Sequence, residues 1–330
     1  MPAPDLPAEL KAALDARLQG VSRNEAAGRA ALISQNYRAG GGSDTIRCEA
    51  DALAYVLARM PATYAAVTAS LNALREIKPD FAPRSLLDVG AGPGTASWAA
   101  LASFASLQQL NAIDANGALR SLALDLARGT ERLGRLLYRA GEARAALAEA
   151  EAADLVVASY LIGEVRDADR SALADRMWAK TADTLLVVEP GTPAGHDRIL
   201  ALRQRLVAAG AQVAAPCPHD GSCPLIAPDW CHFSQRLPRS QAHRQVKGAT
   251  LAFEDEKFSY VALTRVRVAR HPLRVLAQPQ ISKVAVRAKL CSTSGISDRT
   301  IPRRQKAEYQ RFRQLDWGDA VFETGAGPET

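Results

Sequence analysis

No stretch of this 330-residue chain approaches the length of apolar sequence that crosses a bilayer. Its start, Met1-Pro-Ala-Pro-Asp-Leu-Pro7, has neither the basic n-region nor the apolar h-region of a secretory signal. These absences predict a cytoplasmic protein. Cysteine is scarce: there are five, an odd number, and three of them crowd into residues 217–231, which is not the framework of a disulfide-stapled secreted domain. Between Asp88 and Pro216 there is no cysteine at all, so the middle of the chain offers no thiol nucleophile. What remains, 48% hydrophobic and 23% charged, is ordinary globular composition with enough chain for one substantial core plus additions.

The most organised stretch is Ser85-Leu-Leu-Asp-Val-Gly-Ala-Gly-Pro-Gly94, an apolar strand running into a glycine turn ahead of a helix-compatible run. Gly90, Gly92 and Gly94 let the backbone turn sharply and approach a ligand that a Cβ would push away. The spacing is G-x-G-x-G preceded by Asp88, not the dinucleotide fingerprint G-x-G-x-x-G, so NAD is the weaker reading. It resembles motif I of class I methyltransferases, which bind S-adenosylmethionine. Asp88 would then hold the cofactor's ammonium directly or through water, with Gly90, Ala91, Gly92 and Gly94 against its amino-acid end. Asp114, closing the next apolar run and followed by Ala115, would take the ribose hydroxyls.

Around this unit the pattern alternates strand and helix, as a doubly wound α/β sheet requires. Strands are expected at 136–138, 153–160, 183–190 and 258–265. Ligands in such sheets bind beyond the carboxyl ends of the strands, so Gly141, Glu142, Ser159, Tyr160 and Glu189 are expected to converge with the glycine loop. Residues 1–80 read as a helical cap. Within it, one helix is capped by Ser22 with Glu25 three residues on, one is expected at 47–60, and another is opened by Pro61. The remaining divisions are a core at 81–210, a cysteine-rich insertion at 211–247, late core strands at 248–270 and a basic extension at 271–330.

Methyltransferases acting on exocyclic amines often carry an acid or Asn before Pro-Pro and an aromatic at the end of the fourth strand. This chain has Ala158-Ser-Tyr-Leu-Ile162 instead. The remaining catalytic candidates are Tyr160, which could stack a base, and Glu164, which could act as a base.

The cysteine stretch, Ala215-Pro-Cys217-Pro-His-Asp-Gly-Ser-Cys223-Pro-Leu-Ile-Ala-Pro-Asp-Trp-Cys231, has spacing C-x5-C-x7-C among prolines, and Cys291 follows later. Four thiols on segments with little other reason to be ordered point to a metal centre. Zinc knuckles use tighter C-x2-4-C pairs, with His219 and His232 as available substitutes. Wide, irregular spacing suits an iron-sulfur cluster better, and both remain open at this point. Cys48 reads as a packed free thiol.

Charge is segregated. Residues 231–330 carry 18 Lys and Arg against 9 Asp and Glu, while the rest carries 23 against 26. Arg287, Lys289, Arg299, Arg303, Arg304, Lys306, Arg311 and Arg313, interleaved with Tyr309, Phe312 and Trp317, read as a surface for an RNA backbone, with a basic helix over 303–315.

Five segments, Ala58–Ala66, Leu87–Trp98, Cys217–Cys223, Trp230–Arg236 and Trp317-Gly318, together resemble the ribosomal small-subunit methyltransferase-like family, whose mitochondrial members include methyltransferase-like protein seventeen. The resemblance runs from about Arg47 to Trp317. It implies a class I methyltransferase fold of Rossmann type, a [4Fe-4S] cluster on Cys217, Cys223, Cys231 and Cys291, and association with small-subunit rRNA during ribosome assembly, the protein being monomeric off the ribosome. The expected function is therefore an rRNA-binding assembly factor with an S-adenosylmethionine pocket. The alternatives are an active rRNA methyltransferase and a zinc-stabilised methyltransferase of a non-RNA substrate.

Overall fold

The computed structural model describes residues 5–268 and 272–322. Residues 1–4, 269–271 and 323–330, which belong to the expected cap, late-strand and C-terminal segments, lie outside the described residues. The chain begins with α1 (Ala8–Leu18) and α2 (Arg23–Arg38). The Ser22 hydroxyl accepts from the Glu25 N–H, so the Ser-x-x-Glu signal does start α2. α3 (Glu49–Ile77) is one 29-residue helix with Pro61 inside it, where two helices were expected. An internal proline costs about 3 kcal/mol. Here Met60, Ala62, Tyr64, Ala65 and Ala66 around it are all buried, and that packing outweighs the local preference to break.

The central unit follows as β1 (Ser85–Val89), α4 (Thr95–Ser103), β2 (Gln109–Asp114), α5 (Gly117–Ala127), β3 (Leu137–Ala140), α6 (Ala143–Glu149), β4 (Ala153–Ser159), α7 (Asp167–Ala179), β5 (Thr181–Pro190), α8 (Pro193–Ala208), β6 (Gln212–Ala215), β7 (Phe233–Pro238), α9 (Gln241–Lys247) and β8 (Phe253–Thr264). The strand order is β3-β2-β1-β4-β5-β8-β6. β1 to β5 are parallel, and β8 runs antiparallel to β5 and β6. This doubly wound order with a reversed late strand is the α/β class I methyltransferase fold expected from the sequence. Both faces of the sheet are covered, one by α3, α4 and α5, the other by α6, α7 and α8. That is why β1, β4 and β5 read as continuous apolar runs.

On the outer edge of β8, β6 covers Ala262 to Thr264 and β7 covers Phe253 to Phe258. Among the described residues no strand lies beside Ser259 to Val261 there. The irregular segment 216–232 is placed against this gap, and the Ser259 hydroxyl donates to the Cys231 carbonyl at 2.8 Å. The expected insertion at 211–247 is therefore narrower, its ends being β6 and β7.

The C-terminal segment differs most from expectation. β9 (Leu273–Val275), β10 (Gln280–Ile281), β11 (Ala285–Ser292), β12 (Gly295–Pro302) and β13 (Ala320–Val321) form an antiparallel five-stranded sheet covered by α10 (Lys306–Phe312). It has its own core, in which Tyr309 and Phe312 are buried with Val275, Val286, Ala288, Leu290, Ile301 and Val321. Tyr309 and Phe312 are thus core residues at helical spacing, not a stacking surface; Trp317, beyond the helix, is half-buried edge-on to His232, and the basic helix shrinks to two turns.

The helical cap is held to the sheet by a polar contact. The Tyr160 hydroxyl donates to Glu256 Oε1 at 2.8 Å, and Arg59 Nη2 reaches the same oxygen at 3.1 Å. Glu256→Ala is expected to lower stability by roughly 1–2 kcal/mol, the loss being moderated because Arg59 keeps part of its hydration. A urea midpoint equal to wild type would show that the contact holds nothing.

Candidate cofactor cleft, cysteine site and basic surface

The glycine loop sits where strand order reverses, between β1 and its neighbours β2 and β4, as a topological switch point requires. Gly90, Gly92 and Gly94 have φ of +69°, +53° and +79°, conformations other residues rarely adopt. Asp114 braces the loop: its carboxylate accepts from the Gly92 N–H at 2.8 Å and the Asn116 N–H at 2.7 Å, and the Ala115 amide also faces it. The Gly141 N–H donates to the Asp114 carbonyl, which brings the β3 end into the same cleft. Glu142 has a local role as the N-cap of α6, accepting from the Ala145 N–H.

Asp88 is fully buried on β1. Its Oδ2 accepts from the Ser97 N–H at 3.0 Å and the Ser97 hydroxyl at 2.8 Å, while Oδ1 has no partner among the described residues. Burial pushes its pKa up to about 7, against the pull of Ser97. The residues present thus fit a cationic group near the loop: one buried carboxylate oxygen is unsatisfied, and a glycine cradle lies beside it.

The mouth of the cleft is crossed by residues 42–46. Asn116 Nδ2 donates to the Ser43 and Ile46 carbonyls, both at 2.9 Å, and the Ser43 N–H donates to Glu164 Oε2 at 3.0 Å. Burial raises the Glu164 carboxyl to about 7, opposed by the Ser43 amide and the Tyr37 hydroxyl. Both catalytic candidates are therefore engaged, Glu164 with the strap and Tyr160 with Glu256 and, at 5.7 Å, the Arg59 guanidinium over its ring. Tyr160 holds φ at +57°, and its N–H donates to the Val188 carbonyl next door on β5. Ser159 ends β4 half-buried. Glu189 is buried and occupied by the Ile162 N–H and Arg198.

The four cysteines come from two segments more than fifty residues apart, yet Cys217, Cys223, Cys231 and Cys291 line one cavity. Cys291 lies on β11, not in a loop as expected. Its antiparallel partner on β9 is Arg274, and directly opposed residues share a face of the sheet, so both are aimed toward the cavity. Burial and the neighbouring sulfurs push Cys217 up, Cys231 well up and Cys291 up to about 12. Among the described residues no group of three or more His, Cys, Asp or Glu is gathered closely enough to hold a single metal ion. A tetrahedral zinc with Zn–S near 2.3 Å needs its sulfurs about 3.8 Å apart. A polynuclear cluster would take one thiolate at each of four irons, and four cysteines line this cavity. Cys48, expected to be packed, is exposed at the α3 N-cap with its thiol on Asp51.

Two residues that motif reading missed line the same cavity. Arg203 on α8 and Arg274 on β9 are each 1% exposed. Arg203 donates to the His219 carbonyl at 2.6 Å, and Arg274 donates to the Pro216 carbonyl at 3.1 Å and the Gly318 carbonyl at 2.8 Å. The available signal was an arginine inside the apolar run Pro272-Leu-Arg-Val-Leu276.

Of the eight basic candidates, Arg287, Arg303, Arg304, Lys306 and Arg313 are exposed. Lys289 is paired with Asp229 of the cysteine segment, and Arg299 with Glu308 at 2.8 Å. Arg311 lies half-buried beside Phe312. Arg287, Lys289 and Cys291 alternate onto one face of β11, so that face runs from open surface to the cysteine cavity.

The family described as mitochondrial small ribosomal subunit Rsm22 matches residues 49–322. The human mitochondrial ribosome assembly protein METTL17 is 30% identical over 291 residues, covering 82% of this chain and 62% of that protein. A mitochondrial Rsm22-cox11 tandem protein of Schizosaccharomyces pombe is 24% identical, covering 81% of this chain and 42% of its own length. The chain thus spans less than two thirds of either relative. Among solved structures it is similar to a putative RNA methyltransferase from Pyrococcus horikoshii, with 14% identity, TM-score 0.39 and coverage of 60% of this chain and 82% of that one. It is also similar to magnesium protoporphyrin IX methyltransferase from Synechocystis PCC 6803 with bound SAM, with 10% identity, TM-score 0.40 and coverage of 72% and 97%.

Proposed function

Because the chain belongs to the mitochondrial small ribosomal subunit Rsm22 family, matched over residues 49–322, we propose that it is an rRNA-binding assembly factor of the small ribosomal subunit, working in the cytoplasm. In this reading Cys217, Cys223, Cys231 and Cys291 hold a [4Fe-4S] cluster, and the glycine loop with Asp88 and Asp114 binds S-adenosylmethionine. The observation that carries it is the cavity of four cysteines at the seam between the methyltransferase-like sheet and the basic C-terminal sheet. A cluster there would staple the two sheets and set the angle at which Arg287, Arg303 and Arg304 meet a phosphate backbone.

The rival reading is catalytic rRNA methylation. It is disfavoured by the ends of β4 and the following turn, where Tyr160 and Glu164 are both tied to structural partners. The test is incubation of immature small subunits with S-adenosylmethionine labelled on the methyl group, with sedimentation of the protein followed in parallel. Co-sedimentation without label in the rRNA is the expected result. Stoichiometric labelling abolished by Gly92→Arg would establish the enzyme instead, and failure to sediment with the particles would remove the assembly reading.

The cofactor part makes a pH prediction. With Asp88 protonated up to about pH 7, the oxygen meant for the cofactor's ammonium is neutral at lower pH. S-adenosylmethionine affinity is therefore expected to rise up to tenfold per unit between about pH 5.5 and 7 and then level off. Asp88→Asn should flatten that rise. In the free protein the linkage has the opposite sense: the folded state holds a proton that the unfolded state has released above about pH 4, so this carboxyl lowers stability progressively from about pH 4 to 7. Titration calorimetry and urea unfolding across that range check both signs.

A further inference from the structure

The charge around the cysteine cavity does not balance in the bare protein. Arg203 and Arg274 are each 1% exposed and line the cavity with the four cysteines; both donate to backbone carbonyls, while Arg203 Nε is left without a partner among the described residues. Neither has a carboxylate within ion-pair distance among the described residues; Glu76 senses Arg274 only at longer range. A buried guanidinium without a counter-charge costs several kcal/mol. Two such groups at one cavity mark a place built to surround an anion. The four cysteines beside them become anionic ligands when they bind a metal.

We propose that Arg203 and Arg274 are charge-compensating residues for the cysteine-ligated cluster, and that they set its reduction potential. This deepens the cluster reading and rests on it. An oxidised four-iron core carries two positive charges, so with four thiolates the assembly is a dianion, matched by two guanidiniums. One electron, supplied by an external reductant, makes it a trianion. The fixed positive charge of Arg203 and Arg274, both 1% exposed, favours that added negative charge and raises the potential. The same balance would hold for a single zinc with four thiolates, so charge alone does not name the metal, and assay of iron and acid-labile sulfide does. Arg274 has a second role. Its donations to Pro216, next to Cys217, and to Gly318, ahead of β13, bind the cysteine segment to the C-terminal sheet from inside the cavity.

The test is a dithionite titration of anaerobically prepared full-length protein, followed by electron paramagnetic resonance, on wild type, Arg203→Gln, Arg274→Gln and the two Lys variants. Each Gln variant is expected to shift the one-electron equilibrium at least tenfold toward the oxidised form, about 59 mV downward, while the Lys variants stay near wild type. Should the Gln variants fail to retain iron while the Lys variants are fully loaded, the charge requirement is met at the stage of assembly and the proposal stands. Equal potentials in all five proteins overturn it, as do equal losses of iron in Gln and Lys variants, which would leave only a hydrogen-bonding role. A wild-type protein with iron and acid-labile sulfide but unmoved variants removes this inference alone. A wild-type protein with neither removes the cluster reading and the inference together.

Discussion

Replacing Cys291 by Ala is expected to reduce bound iron and acid-labile sulfide to background, although Cys217, Cys223 and Cys231 are untouched. The other three come from a single loop. In the proposed cluster Cys291 is the ligand that the C-terminal sheet would deliver, from a strand whose register puts it opposite Arg274. With it gone, one iron of a four-iron cluster has no protein ligand, and three thiols in an irregular, proline-rich segment must hold the rest alone. Because metal affinity at such a site is also folding free energy, the loss should extend to structure. The 216–232 segment has few elements of its own to keep it against the uncovered stretch of β8, so limited proteolysis there should accelerate more than tenfold. Cys48→Ala is the matched control, since that thiol is exposed at the far end of α3 from the cavity and bonded to Asp51. Full iron content in a folded Cys291→Ala protein would break the link between the two sheets on which the proposed architecture depends.

The second large effect concerns RNA. Arg287, Arg303 and Arg304 are exposed on the C-terminal sheet and its following turn, whereas Lys289, Arg299 and Arg311 are engaged within the protein. Neutralising the three exposed residues together as Gln should weaken binding to a small-subunit rRNA fragment on the order of a hundredfold or more at ~0.1 M salt. It should also lower the slope of log affinity against log salt by about 3 units, one per phosphate contact. The same triple change should leave the urea midpoint within ~0.5 kcal/mol of wild type, because none of these side chains is buried. Phe312→Ala, by contrast, should cost about 3–5 kcal/mol through its core position and affect RNA only through folding. An unchanged salt slope in the triple variant would overturn the proposed RNA surface.

How much of this was legible in advance depended on the range of the forces involved. The glycine loop, its acid and Asp114 were readable because their roles are local: left-handed turns, an apolar strand, a carboxylate at a strand end. Ser22 and Glu25 announced a helix start for the same reason. Pro61 misled because its local cost was set against burial contributed by residues distant in sequence. In the C-terminal third, charge drew attention away from the alternation Val286-Arg-Ala-Lys-Leu290, which is a strand with Val286, Ala288 and Leu290 inward. Tyr309 and Phe312, interleaved with arginines in sequence, are the core stripe of a short helix.

By itself the chain's order of residues determined a doubly wound sheet, a cofactor-type loop and a group of cysteines out of keeping with any disulfide plan. Each of these is a pattern of near neighbours, or of residue types whose chemistry has few uses. Only the folded molecule decided that Cys291 lines one cavity with the other three, that Arg203 and Arg274 stand beside them, and that Tyr160 and Glu164 are tied to the cap. These are contacts between residues far apart in sequence, made by sheet register and by the gap that β6 and β7 leave on β8.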